Sequence, residues 1–129
     1  MNIVIVDDDP AILRSIGAVL GKEGHEVAVF MDPRRALFHF VRKHPTDVLL
    51  VDYSMPNMNG DELLHLLKRE VPADCRIIMM SAHQGLKWSL DMKKLGIHAF
   101  VDKPVDLAAL KQALSSKTPI TGGKNETSY

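Results

Sequence analysis

A chain of 129 residues fits one domain and can bury a core large enough to fold without staples or structural metals. With 46% hydrophobic and 25% charged residues the composition is that of an ordinary globular protein, which excludes a disordered or fibrous main body. Lys+Arg and Asp+Glu both number 16, so no long-range positive field draws this segment onto nucleic-acid phosphates or anionic lipid.

Five short apolar runs alternate with five segments of helical period, the pattern of a parallel sheet covered on both faces. The first run, Ile3 to Val6, ends in Asp7-Asp8-Asp9, and Asp9-Pro10 opens a helix as an Asp cap followed by Pro. That helix sets Ile12, Ile16, Val19 and Leu20 on one stripe before Gly24 stops it. The second run is Val27 to Phe30; Asp32-Pro33 opens a second helix whose stripe is Leu37, Phe40 and Val41, ending before His44-Pro45. The third run, Asp47 to Val51, leads into Asp52 and a helix from about Gly60 through Leu63, Leu64 and Leu67 to Val71. The fourth, Arg76 to Met80, is followed by Ser81 and a helix from about Leu86 to Leu95, with Gly96 as its C-cap. The fifth, Ala99 to Asp102, runs into Lys103-Pro104, and an Asp106 cap starts a helix through Leu110 to Leu114. Several runs are continuously apolar, as strands buried on both sides should be.

Residues 1–115 therefore read as the folded domain, and 116–129 as a polar, flexible tail or a linker cut short of an effector domain. The tail's Gly-Gly-Lys-Asn is no phosphate loop, because neither a strand nor a helix flanks it. Met1-Asn2-Ile3-Val4 lacks a basic leader, and no window approaches the roughly 20 apolar residues of a membrane span. The single Cys75 before an apolar run reads as a buried thiol, compatible with a reducing cytoplasm. A cytoplasmic location without membrane association is expected.

In a parallel open sheet, ligands gather at the carboxyl ends of the strands. Here that edge collects Asp7, Asp8 and Asp9, then Asp52, Ser81 and Lys103. Carboxylates converging from two strand ends repel one another unless a cation sits among them. With oxygen ligands alone and no His pair at ligand spacing, the expected ion is Mg²⁺. Asp52 is then placed as a nucleophile toward a phosphoryl group, with Lys103 and the Ser81 hydroxyl available to the phosphoryl oxygens. Asp9, before Pro10, reads instead as a helix cap.

Over residues 1–115 the chain resembles the receiver domain of two-component response regulators, of which the chemotaxis response regulator is the simplest member. The resemblance rests on Ile3-Val4-Ile5-Val6-Asp7-Asp8-Asp9-Pro10, the stretch from Val51-Asp52 to Asn59-Gly60, Met80-Ser81-Ala82, and Phe100-Val101-Asp102-Lys103-Pro104. It implies a single doubly wound, five-stranded parallel sheet of flavodoxin-like order 2-1-3-4-5 with five flanking helices. It also implies Asp52 as phosphoacceptor, Asp8 and Asp52 as Mg²⁺ ligands with Asp7 assisting, and the backbone carbonyl of Ser54 as a further ligand. Ser81 and Phe100 are the implied switch, the hydroxyl moving toward the phosphoryl group and the aromatic turning inward behind it. Phe at 100 departs mildly from the commoner Tyr.

The resemblance implies a sensor histidine kinase or phosphotransfer protein as donor, and a downstream protein or effector domain as recipient. The recipient is expected on the face made by helix 4, strand 5 and helix 5, to which Trp88 on the fourth helix belongs unless it is an amphipathic filler; homodimerisation on phosphorylation stays open. Ser54 and His83 are candidates for setting the phosphorylated lifetime, a plain surface histidine being the alternative for His83. The other five histidines are scattered and suggest no metal cluster, and Met55, Met58, Met79 and Met80 read as packing residues.

The chain is expected to act as a switch that assists its own phosphorylation and dephosphorylation rather than as an enzyme on other substrates. A Mg²⁺-dependent aspartyl-phosphate phosphatase would usually carry an acid two residues beyond the nucleophile, where Ser54 stands. A pseudo-receiver working through constitutive protein contacts is the other alternative. A flavodoxin-like cofactor binder would need a phosphate-cradling loop in place of the acidic Asp7-Asp8-Asp9.

Overall fold

The computed structural model describes residues 1–83, 85 and 90–115. Five strands, β1 (Asn2–Val6), β2 (Glu26–Phe30), β3 (Val48–Asp52), β4 (Arg76–Ser81) and β5 (Ile97–Asp102), alternate with helices. These are α1 (Pro10–Lys22), α2 (Pro33–Val41), α3 (Gly60–Leu67), the single turn α4 (Met92–Leu95) and α5 (Leu107–Ser115). All strand pairs are parallel and the order is β2-β1-β3-β4-β5, as expected.

Because strand side chains alternate, the sheet builds two apolar layers. Val4, Val6, Leu49, Val51, Ile77 and Met79 face α2 and α3, meeting Ala36, Phe40, Leu63, Leu64 and Leu67. Ile3, Ile5, Leu50, Ile78 and Met80 face α1 and α5, meeting Leu13, Ile16, Leu20, Leu110 and Leu114. The central β3 is buried along its whole length, which is why its sequence is continuously apolar up to Asp52. Each large side chain so buried contributes about 1.5–3 kcal/mol of transfer free energy, and the double layer holds the strand ends in register.

The helix starts follow the sequence: the Asp9 and Asp32 carboxylates accept the N–H of Ala11 and Arg34, each at 2.9 Å, with Pro next in line. Several details differ. α1 buries Leu13 with Ile16 and Leu20, leaving Ile12 at the margin. α2 buries Pro33, Ala36 and Phe40, and Val41, one residue (100°) round from Phe40, is 49% exposed. α3 ends at Leu67 rather than Val71, the chain turning through Glu70 N–H to Leu67 C=O at 2.7 Å before Pro72. The helix expected from Leu86 is not helical at Leu90 and Asp91: extended Asp91 caps a new turn by accepting Lys94 N–H at 3.1 Å. Residues 86–89, with Trp88, and residues 116–129 lie outside the described residues. No helix among the described residues is long and apolar enough to cross a membrane.

Candidate phosphoacceptor and metal site

The ladder runs on for one residue past the strand ends and thereby aims the polar side chains. Asp7 N–H donates to Phe30 C=O (3.1 Å), Tyr53 N–H to Met80 C=O (2.9 Å) and Lys103 N–H to Ser81 C=O (2.9 Å). Asp52, the last residue of the buried strand, is 3% exposed and Asp7 wholly buried. Asp8 is half-buried beside them, and one carboxylate oxygen from each of the three lies within 4.8 Å of the others. Asp9 turns away to cap α1, though its N–H donates to Asp7 Oδ1 at 2.9 Å and orients that carboxylate.

Lys103, after β5, reaches across the strand ends. Its Nζ stands 2.8 Å from Asp7 Oδ2 and 3.0 Å from Asp52 Oδ1. The Lys103–Pro104 peptide is cis. Burial works against the ammonium charge, but the hydrogen bonds to Asp7 and Asp52 outweigh it and hold the Lys103 pKa above its ordinary value. Burial pushes the Asp52 carboxyl up to about 6; Lys103 draws it down, and the charge of Asp7 pushes it up. Burial and the neighbouring Asp7 thus disfavour the charged form of Asp52 despite Lys103, and a bound cation would relieve both.

The donor set fits a small hard cation. Ligands about 2.1 Å from an octahedral ion lie at most about 4.2 Å apart. The 4.8 Å cluster needs only a few tenths of an ångström of closure to reach that span.

Ser81, 5% exposed, occupies the neighbouring strand end, and its Oγ accepts His83 N–H at 2.9 Å. Ser54 and His83 are exposed at this same edge of the sheet, on the loops after β3 and β4. Phe100 is not part of the acidic cluster: it sits within β5 opposite Met79, half-buried against the α2/α3 layer. Cys75 is buried, as expected, its thiol pushed up to about 12 chiefly by burial and also by Asp74 and Asp47, which leaves it inert.

Gly60 matters more than its reading as a helix start suggests. A Cβ at Gly60 would lie 2.5 Å from the Asp52 carbonyl oxygen and 3.1 Å from Tyr53 Cα, and its N–H donates to Tyr53 C=O at 2.6 Å. The loop from Asp52 to Gly60 closes on itself there, and Asn59 N–H, donating to Glu62 Oε1 at 2.8 Å, anchors its far end to α3. The one sequence signal for this closure is the glycine eight residues beyond the acid.

An open, doubly wound parallel sheet with three acids and a lysine at the carboxyl edge defines a class of phosphoryl-accepting α/β domain. The response regulator receiver domain model matches residues 3–115, and the chain belongs to that family, whose members are phosphorylation-dependent signalling modules of two-component systems. It is 30% identical over 119 residues to sporulation initiation phosphotransferase F of Bacillus subtilis, covering 92% of this chain and 94% of that one. It is 34% identical over 122 residues to the DNA-binding transcriptional regulator NtrC of Azospirillum brasilense, spanning 92% of this chain but 25% of the regulator. The CheY-like receiver domain structure from Methanospirillum hungatei superposes with a TM-score of 0.74 at 31% identity, over 88% of this chain and 92% of that one.

Proposed function

We propose that the protein accepts a phosphoryl group on Asp52 from a phosphohistidine of a sensor histidine kinase or phosphotransfer protein, and passes the change to a protein partner or effector domain. The observation that carries this reading is the convergence of Asp7, Asp8 and Asp52 within 4.8 Å beneath the Lys103 ammonium. An Asp52 carboxylate oxygen bonds to phosphorus as the P–N bond breaks, and the leaving imidazole takes up a proton. Asp7, Asp8, Asp52 and the Ser54 backbone carbonyl are the residues to hold Mg²⁺. The bound ion would supply charge neutralisation for the phosphoryl oxygens that protein cations alone do not complete.

Lys103 exchanges its bond to Asp52 for one to a phosphoryl oxygen while keeping Asp7, so its net gain is smaller than a new ion pair would bring. Moving a two-state equilibrium from 1:99 to 99:1 takes about 5.5 kcal/mol. Charge-assisted hydrogen bonds contribute about 1.5–3 kcal/mol each. More than one new bond is therefore needed, and the Ser81 hydroxyl, now turned to the His83 amide, is the group with most to gain. Its movement opens space beside β5 into which Phe100 turns, altering the face of α4, β5 and α5. Ser54 and His83 flank the route of the hydrolysing water and set the lifetime. In this reading the domain works in the cytoplasm, and residues 116–129 serve as a tail or as the start of a linker.

The test is intact mass after incubation with acetyl phosphate, with and without Mg²⁺, on the wild type and Asp52→Asn. A Mg²⁺-dependent, hydroxylamine-labile gain of one phosphoryl group, absent from the variant, is expected. A folded wild type that binds Mg²⁺ and gains nothing would make the protein a pseudo-receiver.

A further inference from the structure

The segment from Pro33 to Thr46 carries Arg34, Arg35, His39, Arg42, Lys43 and His44, with no acid between Asp32 and Asp47. In a chain whose charges balance overall at 16 against 16, this is a local excess of positive charge. It lies on α2 and the turn that follows it, the inner stripe of Pro33, Ala36 and Phe40 being spent on the core. Phe38 is 67% exposed there, although a lone aromatic on a surface helix gains nothing from facing water.

Phe30, Arg35, Phe38, His39 and Arg42 line a depression of about 330 Å³ beside the edge strand β2. The His39 ring in its lining is set edge-on to Phe30 with centroids 5.3 Å apart and stacked on His44 at 4.6 Å. Arg34 is committed to Asp32 at 3.0 Å, whereas Arg35 and Arg42 are exposed and form no ion pair among the described residues. The depression therefore combines an aromatic lining with two guanidiniums that form no ion pair among the described residues.

We propose that this depression is a docking site for a short acidic segment of another protein that carries a bulky apolar side chain flanked by carboxylates. The apolar side chain enters against Phe30 and Phe38, and the flanking carboxylates accept the forked N–H groups of Arg35 and Arg42. Charge complementarity selects an acidic partner, and the isolated exposed Phe38 beside Arg35 and Arg42 suits a single apolar side chain flanked by carboxylates. None of its lining residues belongs to the cluster of Asp7, Asp8, Asp52, Ser81 and Lys103, and binding there involves no phosphorylation chemistry.

The probe is a fluorescein-labelled peptide, Glu-Asp-Glu-Leu-Phe-Asp-Glu-Asp, titrated with the full chain at low salt and followed by anisotropy. Saturable binding is expected, weakened at least about tenfold by Phe38→Ala, by Arg35→Glu with Arg42→Glu, and by Ser-Ser in place of Leu-Phe in the peptide. Unchanged phosphoryl uptake from acetyl phosphate, or failing that an unchanged circular dichroism spectrum and melting temperature, reports that each variant is folded. No binding up to millimolar protein overturns the proposal, as does equal binding of the Ser-Ser peptide, which would mean charge attraction alone. Arginine-dependent binding to phosphatidylserine vesicles without peptide binding would assign the patch to a membrane. Arginine-dependent self-association without peptide binding would assign it to a second copy.

Discussion

His98 Nδ1 accepts the Ile77 N–H at 3.0 Å, a role open only to a neutral ring with its proton on Nε2. The β4–β5 register explains why: Ile77 pairs with Ile97 and Ile78 with Ala99, so His98 is the extra residue of a bulge and its ring replaces the missing ladder acceptor. Burial, and next the charge of Arg76, hold the His98 pKa below its usual value. Below about pH 6.5 the unfolded chain then takes up the proton before the folded one, so stability is full above that pH and declines as pH falls through the folded value. Denaturant melts of the Asp52→Asn variant between pH 7.5 and pH 5, where the opposite contribution of Asp52 is removed, should show this decline, with a smaller slope when His98→Leu is added. His98→Leu should also be about 1–2 kcal/mol less stable at pH 7.5, because the Ile77 N–H loses its partner. An unchanged slope would show that the ring is not the acceptor. Gly60→Ala is a second test at this scale. Its methyl must displace the Asp52 backbone, so a loss of about 1–3 kcal/mol is expected, with slower phosphoryl uptake from acetyl phosphate. Neither role was legible in the sequence, where His98 is one of several scattered histidines and Gly60 a helix start.

Among the elements, α1 and α2 were read best, because an Asp cap followed by Pro is a local signal that tertiary contacts rarely override. Asp9→Ala removes the acceptor for Ala11 N–H and should cost about 1 kcal/mol in urea melts. It should leave phosphoryl uptake by Asp52 almost intact, since the Asp9 side chain caps the helix. A large loss of uptake would instead give that carboxylate a part in the site. The α4 region was read worst. Leu86 to Leu95 has helical period, yet Asp91 satisfies the Lys94 N–H from an extended conformation and starts its own turn. Polar side chains that hydrogen-bond nearby backbone compete with helix in this way, and periodicity does not register it. Val41 failed for another reason: which of two adjacent apolar residues faces the sheet depends on how the helix is rotated, and Pro33 and Ala36 set that rotation.

For the molecule as a whole, the site couples charge to stability. The Asp52 carboxyl, pushed up to about 6 mainly by burial, is harder to ionise folded than unfolded. Without metal, therefore, ionising it weakens the fold progressively as pH rises from about 4 to 6. In EDTA, Asp52→Asn should be about 1 kcal/mol more stable than the wild type at pH 7, the difference shrinking toward pH 4. Mg²⁺ at a hundredfold excess over its dissociation constant should stabilise the wild type by about 2.7 kcal/mol. Asp8→Ala should lose most of that gain. Equal melting temperatures with Mg²⁺ and with EDTA would remove the metal from the account.

The sequence by itself determined the parallel α/β class, the starts of α1, α2, α3 and α5, and the gathering of Asp7, Asp8, Asp52, Ser81 and Lys103 at one edge. Each of these follows from short-range pattern: apolar runs, caps, and polar residues at run ends. Only the tertiary structure decided that Lys103 bridges Asp7 and Asp52, that Gly60 presses on the Asp52 backbone, and that His98 completes the β4–β5 ladder. Those contacts join residues far apart in the chain or depend on strand register and loop closure, quantities set by packing the two apolar layers together and not by any local signal.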